Sequence, residues 1–327
     1  MTRVLSGIQP TGRKHLGNYI GAIRHYVTDQ DAHEAFYCIV DLHAITVPYD
    51  PAVLRENTLD TAATLLAAGL DPARCALFVQ SHLHEHAEAA WLLGAVATMG
   101  ELNRMTQLKD KGAGRDSVAA ALYTYPVLMT ADILLYNADR VPVGDDQRQH
   151  LELARNVAQR FNSRFGDTLV VPEAAIPRTG GRVMDLQVPT DKMSTTGGTP
   201  LGTVLVTDPP EAIARKIRSA VTDSDHEVAR GEGKEGIANL IEIMAVATDR
   251  SPEQVEDAYD GAGYGQFKAD VADAVIEYLR PVRERYEELV RDPGQLSATL
   301  TAGAEQARAV SSVTLAAIKQ AMGFVAE

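Results

Sequence analysis

The sequence predicts an α/β fold: a parallel sheet covered by helices over residues 1–205, joined to an all-helical region over 206–327. Three observations predict it. Compact apolar runs alternate with amphipathic stretches through the first half, the rhythm of strand–helix–strand units. The runs are apolar throughout rather than at every second residue, as in parallel strands buried on both faces. Beyond about residue 205 the runs stop, and apolar residues recur at helical spacing.

The elements follow in order. "RVLSGIQ" (3–9) reads as a strand, and a glycine-bearing turn leads into a helix over 17–27. "AFYCIVD" (35–41) is a second strand and "CALFVQS" (75–81) a third. Between them lies an amphipathic helix over 51–70, with Pro51 in its first turn, where no N–H is needed. Residues 85–135 are largely helical and interrupt the rhythm, with a Gly-rich break at 109–117, so a helical insertion is expected at about 82–135. "DRVPVG" (139–144) is a fourth strand, running into a helix over 145–162 that Asp145 or Asp146 would cap. Further helices are expected near 209–221, 236–247, 264–291 and 295–325. In the last, Val310, Val313, Ala317, Ala321 and Val325 share one face.

Composition narrows the function. The 327 residues are 45% hydrophobic and 23% charged, ordinary for a globular chain of two domains. A net charge of −13 argues against a general DNA- or RNA-coating protein but permits one nucleic acid on a local basic patch. No apolar stretch approaches the roughly 18 residues of a membrane span. Cys38 and Cys75 are the only cysteines, so neither a disulfide framework nor a CxxC zinc set is expected, and a reducing cytoplasm is the expected compartment.

Two loops stand out. "SGIQPTGRKHLGN" (6–18) follows the first strand and opens a helix; Gly7, Gly12 and Gly17 permit tight turns, and His15 sits where it could bond a phosphate. A turn that uses glycine and proline only as punctuation is nearly as good a reading. "TDKMSTTGGTP" (190–200) combines a lysine, hydroxyls and two glycines at the junction of the two regions. Asp132 is a third signal: a carboxylate inside the apolar run "VLMTADILLY" must be paired, neutralised, functional or turned to solvent.

P-T-G-x-x-H-L-G-N and Lys192-Met193-Ser194-Thr195-Thr196 resemble the "HIGH" and "KMSKS" elements of class I aminoacyl-tRNA synthetases, about 175 residues apart and in the right order. LSGIQPTG (5–12), GNYIGA (17–22), CIVDLHAITV (38–47), TYPVLMTADILLY (124–136) and VPVGDDQRQHLELAR (141–155) resemble the bacterial-type tryptophanyl branch; SAVTDS (219–224) and the 263–281 segment extend the likeness. The resemblance implies a Rossmann-like catalytic domain over 1–205 and an anticodon-binding helical region over 206–327. It implies ATP-dependent activation of L-tryptophan, transfer to tRNA(Trp), Mg²⁺ accompanying ATP without a dedicated protein site, and a homodimer.

Residue roles follow from the same resemblance. Gln9, Pro10, Thr11, Gly17, Asn18, Gly144, Asp145, Asp146 and Val183 would meet ATP, with Gly17 against the adenine. His15 and Asn18 would stabilise charge on the α-phosphate. Lys192, Met193, Ser194, Thr195 and Thr196 would grip pyrophosphate, Gly197 and Gly198 letting the loop close and reopen, and Lys111 would assist. Thr195 stands where many relatives have a second lysine. Asp132 would accept the indole N–H, in a pocket with Met129, Tyr125, Val143 and His43, while Gln147 holds the amino-acid end. A tyrosyl enzyme, a small-molecule adenylyltransferase and a regulatory paralogue are the competing functions.

Weaker signals remain. His82, His84 and His86 have the spacing of a conceivable zinc site, against the plainer reading of a polar loop entering a helix. Trp91 suits packing or a subunit interface. Lys109 and Arg115 accompany Lys111 on the Gly-rich break. Arg215, Lys216, Arg218, Arg280, Arg283 and Arg285 suit either tRNA phosphates or ordinary charged helix faces.

Overall fold

The computed structural model describes residues 2–105, 118–142, 144, 147–175, 182–195 and 197–325. Five parallel strands form one sheet: β1 (Arg3–Ile8), β2 (Glu34–Ile39), β3 (Cys75–Val79), β4 (Arg140–Pro142) and β5 (Glu173–Ala175), in the order β3-β2-β1-β4-β5. The order reverses at β1, so a crevice is expected beyond the carboxyl ends of β1 and β4. The first three strands match the sequence reading. The fourth is shorter than expected, and β5 was not foreseen, because three residues with an exposed Glu173 carry no apolar run.

The pleat sends alternate residues of β2 and β3 to opposite cores. Phe36, Cys38, Ala76 and Phe78 enter one; Ala35, Tyr37, Ile39, Cys75, Leu77 and Val79 enter the other. On the Tyr37 side lie α1 (Leu16–Asn18), α2 (Arg24–Ala32) and α4 (Pro51–Ala67), with a π-helical turn, Tyr19–Ile23, between the first two. Asp50 caps α4 by accepting from the Ala52 and Val53 N–H groups. The short α3 (Asp41–Ala44) follows β2. The same core continues into α9 (Pro210–Arg218), α10 (Glu235–Thr248), α11 (Pro252–Ala258) and α12 (Tyr264–Leu289).

On the Phe78 side lie α5 (Glu85–Gly94), α6 (Met99–Asn103), α7 (Ala120–Leu135) and α8 (Arg148–Phe165). Helix α8 starts later than expected, and its cap position is Gln147 rather than Asp145 or Asp146. The last helix, α13 (Pro293–Ala321), also joins this core. Its buried face overlaps the predicted one only in part: Leu300, Ala304, Ala307, Ser311, Leu315 and Ile318 face inward and the half-buried Val310 and Ala321 pack against the core, whereas Val313 and Val325 are exposed. Between Leu300 and Leu315 the buried residues are small or polar, Gly303, Ala304, Ala307, Ser311 and Thr314, so apolar spacing pointed elsewhere. They are small because the helix lies directly on β3: a Cβ on Gly303 would sit 1.9 Å from the Leu77 carbonyl oxygen. Gly303→Ala is expected to cost about 1–3 kcal/mol through overpacking, read as a lower urea midpoint; an unchanged midpoint would show that the helix is not seated there.

Candidate active site

The loop after β1 is held from beneath. Lys14 is buried, and its Nζ donates to the carbonyls of Gln9 (2.7 Å) and Gly12 (3.2 Å). Burial lowers its ammonium to about 8, with Asp60 opposing the shift. Sequence reasoning gave Lys14 no role. Gly12 adopts φ +86°, where a side chain would be strained.

His15 caps α1. Its Nδ1 accepts from the Asn18 backbone N–H (3.3 Å), and the His15 N–H donates to Asn18 Oδ1 (3.1 Å). A neutral ring that accepts at Nδ1 carries its proton on Nε2. Burial, then the charges of Lys14 and Lys192, push the imidazole down to about 4. At pH 7 His15 is therefore a neutral Nε2–H donor. Asn18 has its carbonyl oxygen committed to the cap, which leaves its amide N–H groups for a ligand. Gly17 is also crowded within the chain: a Cβ there would lie 3.0 Å from His15 Nδ1.

The second loop approaches the first. Lys192 forms an antiparallel bridge with Met184, and the Met193 N–H donates to the Val183 carbonyl (3.1 Å). Met193 is buried in the core, so only its backbone is available to ATP. Thr195 is exposed and lies against Gly12: a Cβ there would meet its Oγ1 at 2.8 Å. The Lys192 charge reaches His15. Lys192→Ala is expected to raise the His15 midpoint above about 4, because a charge opposing protonation is removed; a midpoint unmoved in an NMR titration would separate the two loops.

Gly198 is not a free hinge. Its Cβ would fall 2.5 Å from the Ser194 carbonyl oxygen and 2.7 Å from Asp185 Oδ2, and Gly202 is pressed onto the same carboxylate. Gly197 has open space around it. The buried Asp185 turns the chain by accepting from the Gln187 (2.8 Å) and Val188 (3.1 Å) N–H groups.

Helical-region side chains grip the backbone behind both loops. Lys216 Nζ donates to the Thr203 carbonyl (2.7 Å) and Asp208 Oδ2 (2.5 Å), and that oxygen also accepts from the Leu205 N–H (2.8 Å). The clamped segment bonds back to the first loop, Leu16 N–H to the Val204 carbonyl (2.8 Å) and Val206 N–H to the Lys14 carbonyl (2.9 Å). Thr203 Oγ1 donates to the Ser194 carbonyl (2.9 Å). Asn239 clamps both polar groups of the Met184 backbone. Lys216 is thus buried and committed, which corrects its reading as a tRNA contact or solvated charge; Arg215 and Arg218 are exposed.

Asp132 lies among donors from three elements. His43 Nε2, on α3, donates to Oδ2 at 2.7 Å. Gln80 Nε2, just beyond β3, and His86 Nδ1, on α5, each donate to Oδ1 at 2.7 Å. Gln80 is oriented by accepting from the Leu42 N–H (3.2 Å). Burial alone would raise the Asp132 carboxyl, but the hydrogen bonds from His43 and His86 outweigh it and hold it well below the usual carboxylate range. Asp132 is therefore an ionised, buried acceptor. Sequence reasoning placed His43 here and missed Gln80 and His86; Gln80, a polar residue directly after five buried strand residues, carried a signal.

Tyr125 is buried, and its hydroxyl bonds His150 Nε2 (2.7 Å); Met129 is half-buried. Gln9, Thr11 and Gly144 are exposed, whereas Pro10 is buried. Lys109, Lys111, Arg115, Val143, Asp145, Asp146 and Thr196 lie outside the described residues. The three histidines do not converge: His86 faces Asp132, while His84 points to solvent. No group of three metal-binding side chains occurs among the described residues. Trp91 is 83% exposed, which removes packing within the chain as its purpose. Arg280 is held by Glu277 and Glu284. Among the described residues no helix is long and apolar enough to cross a membrane.

Residues 1–280 match the family model of class I tRNA synthetases (W and Y). A tryptophan–tRNA ligase of Streptomyces avermitilis is 51% identical over 327 residues, covering 99% of this chain and 97% of the relative. The crystal structure of a tryptophanyl-tRNA synthetase from Mycoplasma pneumoniae superposes with a TM-score of 0.90 at 36% identity, over 99% of this chain and 98% of that one. That of the Campylobacter jejuni enzyme, complexed with ADP and tryptophan, gives 0.87 at 34% identity, over 99% and 100%.

Proposed function

This chain belongs to the class I tRNA synthetases of the W and Y group, and from that premise we propose that its crevice activates L-tryptophan with ATP and passes it to tRNA(Trp). It is a tryptophan–tRNA ligase. The observation that carries the choice of amino acid is Asp132, buried and ionised, an acceptor with no donor to offer. Indole has one N–H donor and no acceptor, so the two are complementary. A benzyl side chain would leave the carboxylate short of a partner, a larger penalty than a lost methylene.

The chemistry is two displacements. The tryptophan carboxylate attacks the α-phosphate, releasing pyrophosphate and leaving tryptophanyl-adenylate. The neutral His15 Nε2–H and the Asn18 amide donate to α-phosphate oxygens as charge builds there. Lys192, with the Ser194 and Thr195 hydroxyls, serves the departing pyrophosphate, and for Lys111 and Thr196 the same role rests on the family resemblance alone. Gly144, Asp145 and Asp146 serve the adenosine; Val143 and Gln147 serve the amino acid. A ribose hydroxyl of tRNA then attacks the adenylate carbonyl, releasing AMP. The donors and cations at this mouth suit phosphate oxygens, so Mg²⁺ would be carried by the phosphates and water. The enzyme is cytoplasmic and works as a homodimer, with Trp91 and Met99, both exposed on the helical insertion, at the subunit contact.

Tryptophan-dependent ATP–pyrophosphate exchange tests the reading, run beside tyrosine, whose phenol also carries a donor. Exchange with tyrosine alone would overturn it. Lys192→Ala is expected to lower the exchange kcat about a hundredfold while the tryptophan KM stays nearly unchanged. Wild-type exchange in that variant would show the pyrophosphate charge is met elsewhere.

A further inference from the structure

The bonds around Asp132 divide its two oxygens unequally. Oδ1 accepts from Gln80 and His86; Oδ2 accepts from His43 alone among the described residues. Each carboxylate oxygen has room for about two donors, so the open acceptor position is on Oδ2. His86 has no solvent exposure and lies behind the carboxylate. Its far nitrogen, Nε2, bonds the Tyr136 hydroxyl at 2.9 Å, and Tyr136 is also fully buried. Burial, and then the nearby Cys38, Asp132 and Glu85, keep that phenol protonated. Nδ1 faces a carboxylate oxygen, so in the neutral ring it carries the proton and Nε2 accepts from the Tyr136 O–H. Were the ring in its other neutral form, a nitrogen lone pair would oppose a carboxylate oxygen.

We propose that His86, with its tautomer set by Tyr136, is a positioning residue for amino-acid selection: it fills the second acceptor position of Asp132 Oδ1, so the substrate's ring N–H meets Oδ2 beside His43. Selection then depends on where the carboxylate points as well as on its presence. The inference rests on Asp132 receiving the indole N–H, as proposed above.

The test is equilibrium binding, to the full chain, of tryptophan and of its benzothiophene analogue, in which sulfur replaces the N–H. The wild type should prefer tryptophan. In His86→Leu the tryptophan Kd should rise about tenfold to a hundredfold, the worth of a charge-assisted hydrogen bond, with the analogue's Kd nearly unmoved. His86→Asn, whose amide nitrogen replaces Nδ1, should restore most of the preference, and Tyr136→Phe should give an intermediate loss. Adenylation kcat at saturating tryptophan should stay near wild type in all three. An unchanged preference in His86→Leu overturns the inference; so does equal weakening toward both ligands without rescue by asparagine, the mark of a merely structural residue. A wild type that does not distinguish the two ligands removes the Asp132 reading itself, and this one with it.

Discussion

Asp132→Asn is expected to lower kcat/KM for tryptophan by about a hundredfold or more, the value of one hydrogen bond to a charged acceptor plus the donors left unmatched. The substitution keeps the shape and removes the charge. It also brings an amide N–H₂ against a site where His43, Gln80 and His86 all donate. One of those donors must lose its partner in a buried place. A thermal melt should therefore fall alongside activity, and the benzothiophene analogue should lose less than tryptophan. Pyrophosphate exchange within about threefold of wild type would mean that the indole N–H is received elsewhere.

Lys216→Met should destabilise the chain by about 3–5 kcal/mol, since it strands the Asp208 carboxylate in a buried site. The double variant Lys216→Met/Asp208→Leu should recover much of that, because apolar pairs often replace buried ion pairs with little loss. Its deficit should reflect the Leu205 N–H and Thr203 carbonyl left without their partners. Adenylation should not recover with stability, because the segment that bonds both loops would no longer be clamped. Urea denaturation and pyrophosphate exchange on the same three proteins separate the outcomes. Equal recovery of both would make the pair structural only.

The central sheet was legible because β1, β2 and β3 are apolar runs of ordinary strand length, and all three lead directly into the site, to the His15 loop, to His43 and to Gln80. The two loops were legible as motifs, and the structure adds that they touch, through Thr195 and Gly12. Helix α13 resisted sequence reading because close approach to β3 selects glycine and alanine, which carry little hydrophobic signal. The supporting polar residues resisted for another reason. Lys14, Gln80, His86, Lys216 and Asn239 are single polar positions on otherwise ordinary elements, and spacing cannot tell a buried clamp from a solvated charge. Lys216 is the plainest case: its neighbours Arg215 and Arg218 do face solvent, and one helical step separates their exposure from its burial.

Helix α13 also bears on how the chain acquires its structure during synthesis. It completes the core that includes Phe78, Ala131 and Leu134, and it emerges after every other element described. At ribosomal elongation rates of roughly 5–20 residues per second the interval between β3 and this helix lasts on the order of tens of seconds. Throughout that interval the core built by α5, α7 and α8 on that face lacks its last helix, and the apolar surface so exposed is what nascent chains aggregate through and chaperones hold.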